Sequence, residues 1–567
     1  METRRSCCCC LVVFFVAVLV ITITVVLVHI HRCSGDHLYA HAAVAADSET
    51  CSGIGRNILL QGGSAVDSAI AALLCTSIVN PQSMGIGGGS IFTIYDASKG
   101  NVTIINAREM APQKVKPGLF NGCGPFPKPD SGSQWVAVPG ELSGYWEAHQ
   151  KFGKLSWKAL FEPSIQLAQR GFQTPKFLKQ LLNFTLLRIK LKSSSLSSLF
   201  YNRTGSPREI MKNEQLAKTL KIIAEQGPDA FYNGKIGHDL ILDLQEEAAN
   251  NLDGILTHQD LKQYKASIMV PLNVSVGDYV MYFPPLPSKG IIVSLILNIL
   301  KGFKFSVESM EKNQRVQTYH RIIEALKFGN GQLSNLMDST FWSNLLSDGF
   351  AESMRRRIDD QAHSLEYYDI DHQAPDSYGT SHVSVIDRHG NAVSVTSSIN
   401  HLFGSMIFSN RTGIILNNQL ADFCRSSLED VSGKQPPSSM SPVILISQDR
   451  KSIMMVGSSG GSMIISAIAQ IIMNKLWFGL NMKKAIEKKR LYVNSSNALQ
   501  FEKEFDNNHY SAEAGQSAYW SPHQPSEEHL TWTHTANTIP VTMHFPWLIH
   551  LTFGLWETRG ECANSNR

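Results

Sequence analysis

The stretch Tyr378-Gly379-Thr380-Ser381-His382-Val383-Ser384-Val385-Ile386 decides how the chain is read. Val383 and Val385 alternate with polar neighbours, which predicts a half-buried strand. Gly390-Asn391 then predicts a tight turn into Ala392-Val393-Ser394-Val395-Thr396, the partner strand of a hairpin. A two-residue loop there sets Thr380 against residues between Ser398 and His401. A threonine at a strand head, preceded by glycine and faced by Ser398 and Asn400, is a chemical arrangement. If the chain is cut before Thr380, that residue carries a hydroxyl nucleophile and a free α-amine a few bonds away. The α-amine titrates near about 8 in model peptides, so it can act as a general base at neutral pH where a lysine could not. An isolated threonine at a strand edge has no such meaning, so the flanking motifs decide.

The chain has 567 residues, 43% hydrophobic and 17% charged, with a formal net charge of +3. That is material for a large core, and it gives no reason to expect nucleic acid. Leu11 to Val28 is apolar apart from Thr22 and Thr24, long enough to span a bilayer. Arg4 and Arg5 precede it and only Arg32 follows closely. This predicts a cytosolic tail over 1–10, a signal-anchor over 11–28 and a type II protein of the plasma membrane, its catalytic part outside. A cleaved signal peptide is the competing reading, but Ala43-Val44-Ala45 lies far downstream of the apolar run. Cys7 to Cys10 beside the membrane invite palmitoylation.

The other cysteines, Cys33, Cys51, Cys75, Cys123, Cys424 and Cys562, show no metal-ligand spacing, and no metal or cofactor is expected. Cys51 and Cys75 flank a helix pattern and are expected to be bridged, stabilising by about 3 kcal/mol. Sequons at Asn101, Asn183, Asn202, Asn273, Asn410 and Asn494 suit a glycosylated, outward-facing chain.

Working outward from Thr380, Ser64-Ala65-Val66-Asp67 predicts a capped helix start, with the apolar helix ending near Cys75. Met84-Gly85-Ile86-Gly87-Gly88-Gly89 leads into a strand-like run, not a helix, which excludes a dinucleotide loop. Its glycines instead let backbone pass close to something. Arg108, in Asn106-Ala107-Arg108-Glu109, closes an apolar run and could clamp a carboxylate with parallel hydrogen bonds. Asn417-Asn418-Gln419-Leu420-Ala421-Asp422 follows what reads as a buried strand, Gly413 to Leu416, and could receive an ammonium group. Gly457-Ser458-Ser459-Gly460-Gly461 precedes a helix with Ile464, Ile468, Ile472 and Leu476 on one stripe. Glycines there offer free N–H groups to an oxyanion.

With Ser-Ala-Val-Asp-Ser-Ala-Ile-Ala-Ala, Ser-Met-Gly-Ile-Gly-Gly-Gly, Asn-Ala-Arg-Glu, Gly-Thr-Ser-His, Gly-Ile-Ile-Leu-Asn-Asn-Gln, Pro-Ser-Ser-Met and the Gly-Gly helix start, the chain from about Ala42 to about Asn497 resembles the γ-glutamyltransferase (glutathione hydrolase) family. Asn-Pro-Gln-Ser-Met-Gly and Gly-Thr-Ser-His-Val-Ser are similar to the vertebrate branch that acts on leukotriene C4. The resemblance implies an α+β fold, the four-layer αββα sandwich of N-terminal-nucleophile hydrolases. It implies self-cleavage between Gly379 and Thr380, giving a heterodimer of a large chain over 36–379 and a small catalytic chain over 380–567. Thr380 would attack the γ-glutamyl amide of glutathione or a conjugate, with Ser398 bonded to its hydroxyl and Gly460 and Gly461 forming the oxyanion hole. Arg108, Ser438 and Ser439 would hold the α-carboxylate, and Asn400, Gln419 and Asp422 the α-amine. Water, an amino acid or a dipeptide would take the acyl group.

The chain departs from the family pattern in places. Gln419 stands where many animal members have Glu, and Ser398 where Thr is usual. From Phe505 to Arg567 nothing resembles the family's closing strands; an irregular apolar run, Ile539 to Trp556, stands there instead. The alternative reading is therefore an unprocessed, inactive member that serves as a membrane protein or binding module.

Overall fold

The computed structural model describes residues 17–22, 24, 41–115, 118–123, 131–251, 255–333, 336, 342–370, 379–424, 431–494, 497–502, 505 and 553–557. Two antiparallel sheets are built from β1 (Ala43–Ala46), β2 (Gly89–Asp96), β3 (Asn101–Ala107), β4 (Ser267–Met269), β5 (Leu272–Val276), β6 (Tyr279–Phe283), β7 (Ser381–Ile386), β8 (Ala392–Ser398), β9 (Val443–Ser447), β10 (Ser452–Val456) and β11 (Phe553–Glu557). The first sheet runs β1-β7-β8-β2-β3-β4 and the second β11-β10-β9-β6-β5. Both draw strands from before and after Gly379.

Strands β7 and β8 pair with Ala392 opposite Ile386 and Ser397 opposite Ser381. One further step of that register sets Thr380 against Ser398, within the range that the hairpin reading gave. The connection differs from the expected two-residue turn. Strand β7 stops at Ile386, and residues 387–391 fold around the Asp387 carboxylate, which accepts from the backbone N–H of His389 and Asn391 and from the Asn391 amide. A short acid that bonds its own loop wins over a tight Gly-Asn turn.

One face of this hairpin presents Val383, Val385, Val393 and Val395 to helix α2 (Ala65–Val79), with Phe92, Ile94 and Ile105 in the same core. The other face packs on the second sheet. Tyr95, Ile386 and Ala392 meet Ile444, Ile446, Ile453 and Met455 there, and Thr93 Oγ1 donates to Pro442 O at 2.7 Å. Every residue of β7 and β8 is therefore buried, not half-buried as alternation predicted. The second sheet covers the polar face. Helices α3 (Gly290–Lys301), α4 (Arg315–Gly331) and α5 (Met463–Leu476) close the far side of that sheet, sharing a core with Met281, Phe283, Leu445 and Met454. The layering is helix, sheet, sheet, helix.

The start of α2 is as predicted. Ser64 Oγ accepts from Asp67 N, and the Asp67 carboxylate accepts from Ser64 N. The helix runs beyond Cys75 to Val79, because Thr76 and Ser77 satisfy their hydroxyls on Ala72 O and Leu74 O while Ile78 and Val79 stay buried. Gly413 to Leu416 is not a strand; one isolated bridge, Phe408 to Ile415, is all its pairing. The segment doubles back on its own loop, with Leu416 N bonded to Ile407 O and Ser409 N to Ile414 O.

Cys51 and Cys75 are bridged, tying helix α1 (Glu49–Leu60) to α2 with both cysteines buried. A second bridge, Cys123–Cys424, joins residues 301 apart and was not foreseen. At the C-terminus, β11 adds an edge strand, Val456 opposite Phe553 and Ser452 opposite Glu557. The stretch that showed no clean period in the sequence thus does supply a strand. Of the apolar run Leu11 to Val28, only residues 17–22 and 24 are described, and they are helical. Among the described residues no helix is long and apolar enough to cross a membrane. Cys7 to Cys10 lie outside them.

Candidate active site

Thr380 is buried at the head of β7, and its Oγ1 donates to Ser398 Oγ at 3.1 Å. Ser398 Oγ also accepts from Asn400 N at 2.9 Å, so the two sequence-predicted neighbours form one chain of bonds. The Thr380 backbone has φ +85, a left-handed conformation that a β-branched residue adopts only under strain. Its N–H donates to Ser83 O at 3.2 Å, in the loop leading to the glycine run.

Just before it, the Gly379 carbonyl oxygen accepts from Gly460 N at 2.9 Å. Gly460 and Gly461, with φ +102 and +60, begin the turn into α5 and need glycine's freedom. The one bond that would have to break, between Gly379 and Thr380, thus combines three features. A hydroxyl lies next to it, its carbonyl oxygen is held by an N–H aimed out of a helix start, and its backbone is strained.

His382, two residues on from Thr380, has ring nitrogens bonded to Thr396 Oγ1 and Ser384 Oγ, and burial drives its pKa down to about 3. It stays neutral and positional.

The second half of the site sits at the end of β3. Arg108 is 1% exposed and is held by Pro436 O at 3.2 Å, Pro437 O at 2.9 Å and Asp422 Oδ2 at 2.5 Å. The two carbonyls belong to the loop that continues into Ser438, which is buried, and Ser439, which is half-buried. Arg108 thus lies against the stretch that leads into Ser438 and Ser439, and it is bonded to the residue assigned to the amine. Asp422 lies on a short 3-10 turn, Gln419–Phe423. The Gln419 amide is fully buried beside Glu109, and its contact with that carboxyl pulls the Glu109 pKa down against burial.

Asparagines join the two halves. Asn400 Nδ2 donates to Asn418 O, and Asn418 Oδ1 accepts from His401 N. Asn417 reaches Gly87 O and Ala137 O with its amide N–H groups. A Cβ on Gly88 would lie 2.2 Å from Ser398 O, and one on Gly87 2.2 Å from Ile415 O. The glycine run is a place of close backbone passage, as its sequence predicted.

Two groups escaped the sequence reading. Glu109 is fully buried, and burial pushes its pKa up to about 7 against the pull of Arg108. Arg108 thus faces two carboxyl groups, Glu109 Oε2 at 3.4 Å and Asp422 Oδ2 at 2.5 Å. Lys289 is half-buried, its N–H bonded to Ser438 O at 2.8 Å; burial lowers its pKa against the attraction of Asp422. Glu109 closes the Asn-Ala-Arg-Glu motif, whose reading stopped at Arg108, whereas no motif marked Lys289, since its adjacency to Ser438 is a product of folding. Among the described residues no group of His, Cys, Asp or Glu could hold a metal. The sequon asparagines are exposed, except Asn494, which is half-buried.

Two stacked antiparallel sheets covered by helices on both sides form the fold of the N-terminal-nucleophile hydrolases. A sequence model described as Gamma-glutamyltranspeptidase matches residues 51–529. The chain belongs to the gamma-glutamyltranspeptidase family and is an enzyme of γ-glutamyl cleavage and transfer. The match passes the Asn497 limit of the motifs read from the sequence. The glutathione hydrolase 5 proenzyme of Mus musculus is 44% identical over 491 residues, covering 83% of this chain and 85% of that protein. The Homo sapiens protein of that name is 42% identical over 519 residues, covering 86% and 88%. The crystal structure of cephalosporin acylase from Bacillus halodurans superimposes with a TM-score of 0.72 at 26% identity, covering 83% of this chain and 87% of that one.

Proposed function

We propose that the chain is a precursor that cuts itself before Thr380 and then cleaves the γ-glutamyl amide of glutathione and its conjugates, leukotriene C4 among them. The observation that carries this reading is the Gly460 N–H bonded to the Gly379 carbonyl oxygen beside the Thr380 hydroxyl. In the first reaction Thr380 Oγ attacks the Gly379 carbonyl carbon. The C–N bond breaks, the nitrogen takes a proton as the new α-amine, and water hydrolyses the ester to leave a Gly379 carboxylate. The strained Thr380 backbone is relieved in that step.

In the second reaction the α-amine takes the Thr380 hydroxyl proton while Oγ attacks the γ-carbonyl, whose oxygen would occupy the position that Gly379 O holds in the precursor. One set of donors thus serves both reactions. The leaving amine departs protonated, and water or the amine of an amino acid or dipeptide releases the glutamyl group.

Recognition follows from the Arg108–Asp422 pair. A γ-linked glutamyl group carries a carboxylate and an ammonium on one carbon, so it can replace the Arg108–Asp422 contact with one ion pair to each of those residues. Its carboxylate goes to Arg108, Ser438 and Ser439, and its ammonium to Asp422, Gln419 and Asn400. Two bridged cysteine pairs and surface sequons support an oxidising compartment, and with Leu11 to Val28 they favour a type II protein displayed outside the plasma membrane. The test is a denaturing gel of purified protein. Two chains are expected, the smaller beginning with Thr380, and Thr380→Ala should remain one chain. Cleavage persisting in that variant would remove Thr380 as nucleophile, and an uncut, inactive wild type would favour the binding-module alternative.

A further inference from the structure

We infer that the Cys123–Cys424 bridge ties the two chains of the cleaved enzyme covalently and holds in place the turn that presents Asp422 to the substrate. The inference rests on cleavage before Thr380, as proposed above. Cys123 lies on the N-terminal side of that bond and Cys424 on the other, whereas Cys51–Cys75 lies wholly on the N-terminal side.

Cys424 directly follows the 3-10 turn Gln419–Phe423 and closes it, its N–H donating to Ala421 O at 3.1 Å. Asp422 is two residues away. On the other side, Cys123 closes the short 3-10 turn Leu119–Gly122, with its N–H on Phe120 O at 3.0 Å. Phe120 packs edge-on against Phe423 at 6.2 Å, and both turns sit on a small apolar cluster with Trp135 and Leu420. The bridge is thus a staple between two one-turn elements, neither long enough to hold its own position.

The Asp422 side chain itself accepts from Arg108, at 2.5 Å. Substrate binding exchanges that very bond, because the incoming carboxylate takes the guanidinium. A turn held only by Arg108 would be released at the moment Asp422 must grip the ammonium. A covalent hold is indifferent to the exchange. It also makes association of the two chains intramolecular, so dilution cannot separate them.

Cys123 and Cys424 are half-buried, while Cys51 and Cys75 are fully buried, so a dithiol reaches the inter-chain bridge first. One dithiol closes to its cyclic disulfide as the bridge opens to two thiols.

The experiment begins with full-length cleaved enzyme on denaturing gels. One band holding both chains is expected without reductant and two bands with it. Cys123→Ser with Cys424→Ser should give two bands in both lanes, with KM for a γ-glutamyl anilide raised about tenfold and kcat within about twofold, since binding and not chemistry loses a positioned group. Dithiol treatment of native wild type, followed by alkylation, should label Cys123 and Cys424 and raise KM alike, which covers a double variant that fails to fold. Two bands from wild type without reductant would overturn the inter-chain link. An unchanged KM after loss of the bridge by either route would overturn the positioning role. A single band with reductant would count against cleavage before Thr380 instead, and the KM comparison would still judge the bridge.

Discussion

A Cβ on Gly379 would lie 1.9 Å from the Asn400 carbonyl oxygen, so no side chain fits where the scissile carbonyl now sits. Gly379→Ala must push that carbonyl off Gly460 N–H, and self-cleavage should slow by at least about tenfold, as expected for loss of an aligned oxyanion donor. A time course of chain appearance on a gel measures it. Arg108 is expected to behave differently, because the proposed function gives it a part in binding and none in processing. Arg108→Ala leaves Asp422 and the carbonyls of Pro436 and Pro437 without their donor, and substrate without its clamp. A loss of about 2–5 kcal/mol, falling mainly on KM, is expected. Lys at this position should rescue poorly, since a point charge cannot reach three acceptors spread around a planar fork. Steady-state turnover of a γ-glutamyl anilide by fully matured variants checks both, and wild-type kinetics from Arg108→Ala would assign the clamp elsewhere.

At the scale of elements, the start of α2 is the clearest case of local sequence setting local structure. The Asp67 carboxylate accepts from Ser64 N at 2.9 Å, and also from Lys154 N at 2.8 Å and Leu155 N at 3.0 Å across the core. The first bond was legible as a capping box; the other two come from a loop far along the chain. Asp67→Ala should therefore cost more than a lost cap, on the order of 3 kcal/mol, because buried donors are stranded. The readout is a lower melting temperature with the nucleophile untouched. A shift typical of a surface cap, about 1 kcal/mol, would show that the Lys154 and Leu155 bonds contribute nothing.

The whole molecule carries its own pH signature. Burial raises the pKa of Glu141 to about 8 and that of Glu109 to about 7 from the ordinary 4.5. Between pH 4.5 and about 8 the unfolded chain has released these protons while the folded protein still holds them. Folding takes up protons in that window, so stability falls as pH rises through it and levels off above. Glu141 accepts from Ser397 Oγ at 2.9 Å, a bond that glutamine can also accept. Glu141→Gln should flatten part of the slope, measured as melting temperature against pH from 5 to 8.5. An unchanged slope would mean that Glu141 is ionised in the fold.

Sequence pattern made legible the hairpin register around Thr380 and Ser398, the capped helix, the close-passing glycines and the Cys51–Cys75 bridge. Each depends on residues near one another in the chain, or on motifs specific enough to name a family. Tertiary structure alone decided that the polar face of the hairpin is covered, since alternation cannot say what lies opposite. It alone set Arg108 against Asp422, brought Lys289 to Ser438, and joined Cys123 to Cys424. It also gave the C-terminal stretch a strand, because an edge with unpaired N–H and C=O groups on β10 recruits backbone whatever the side-chain period. Those contacts join residues far apart in the chain, and their free energy arises only once the layers have stacked.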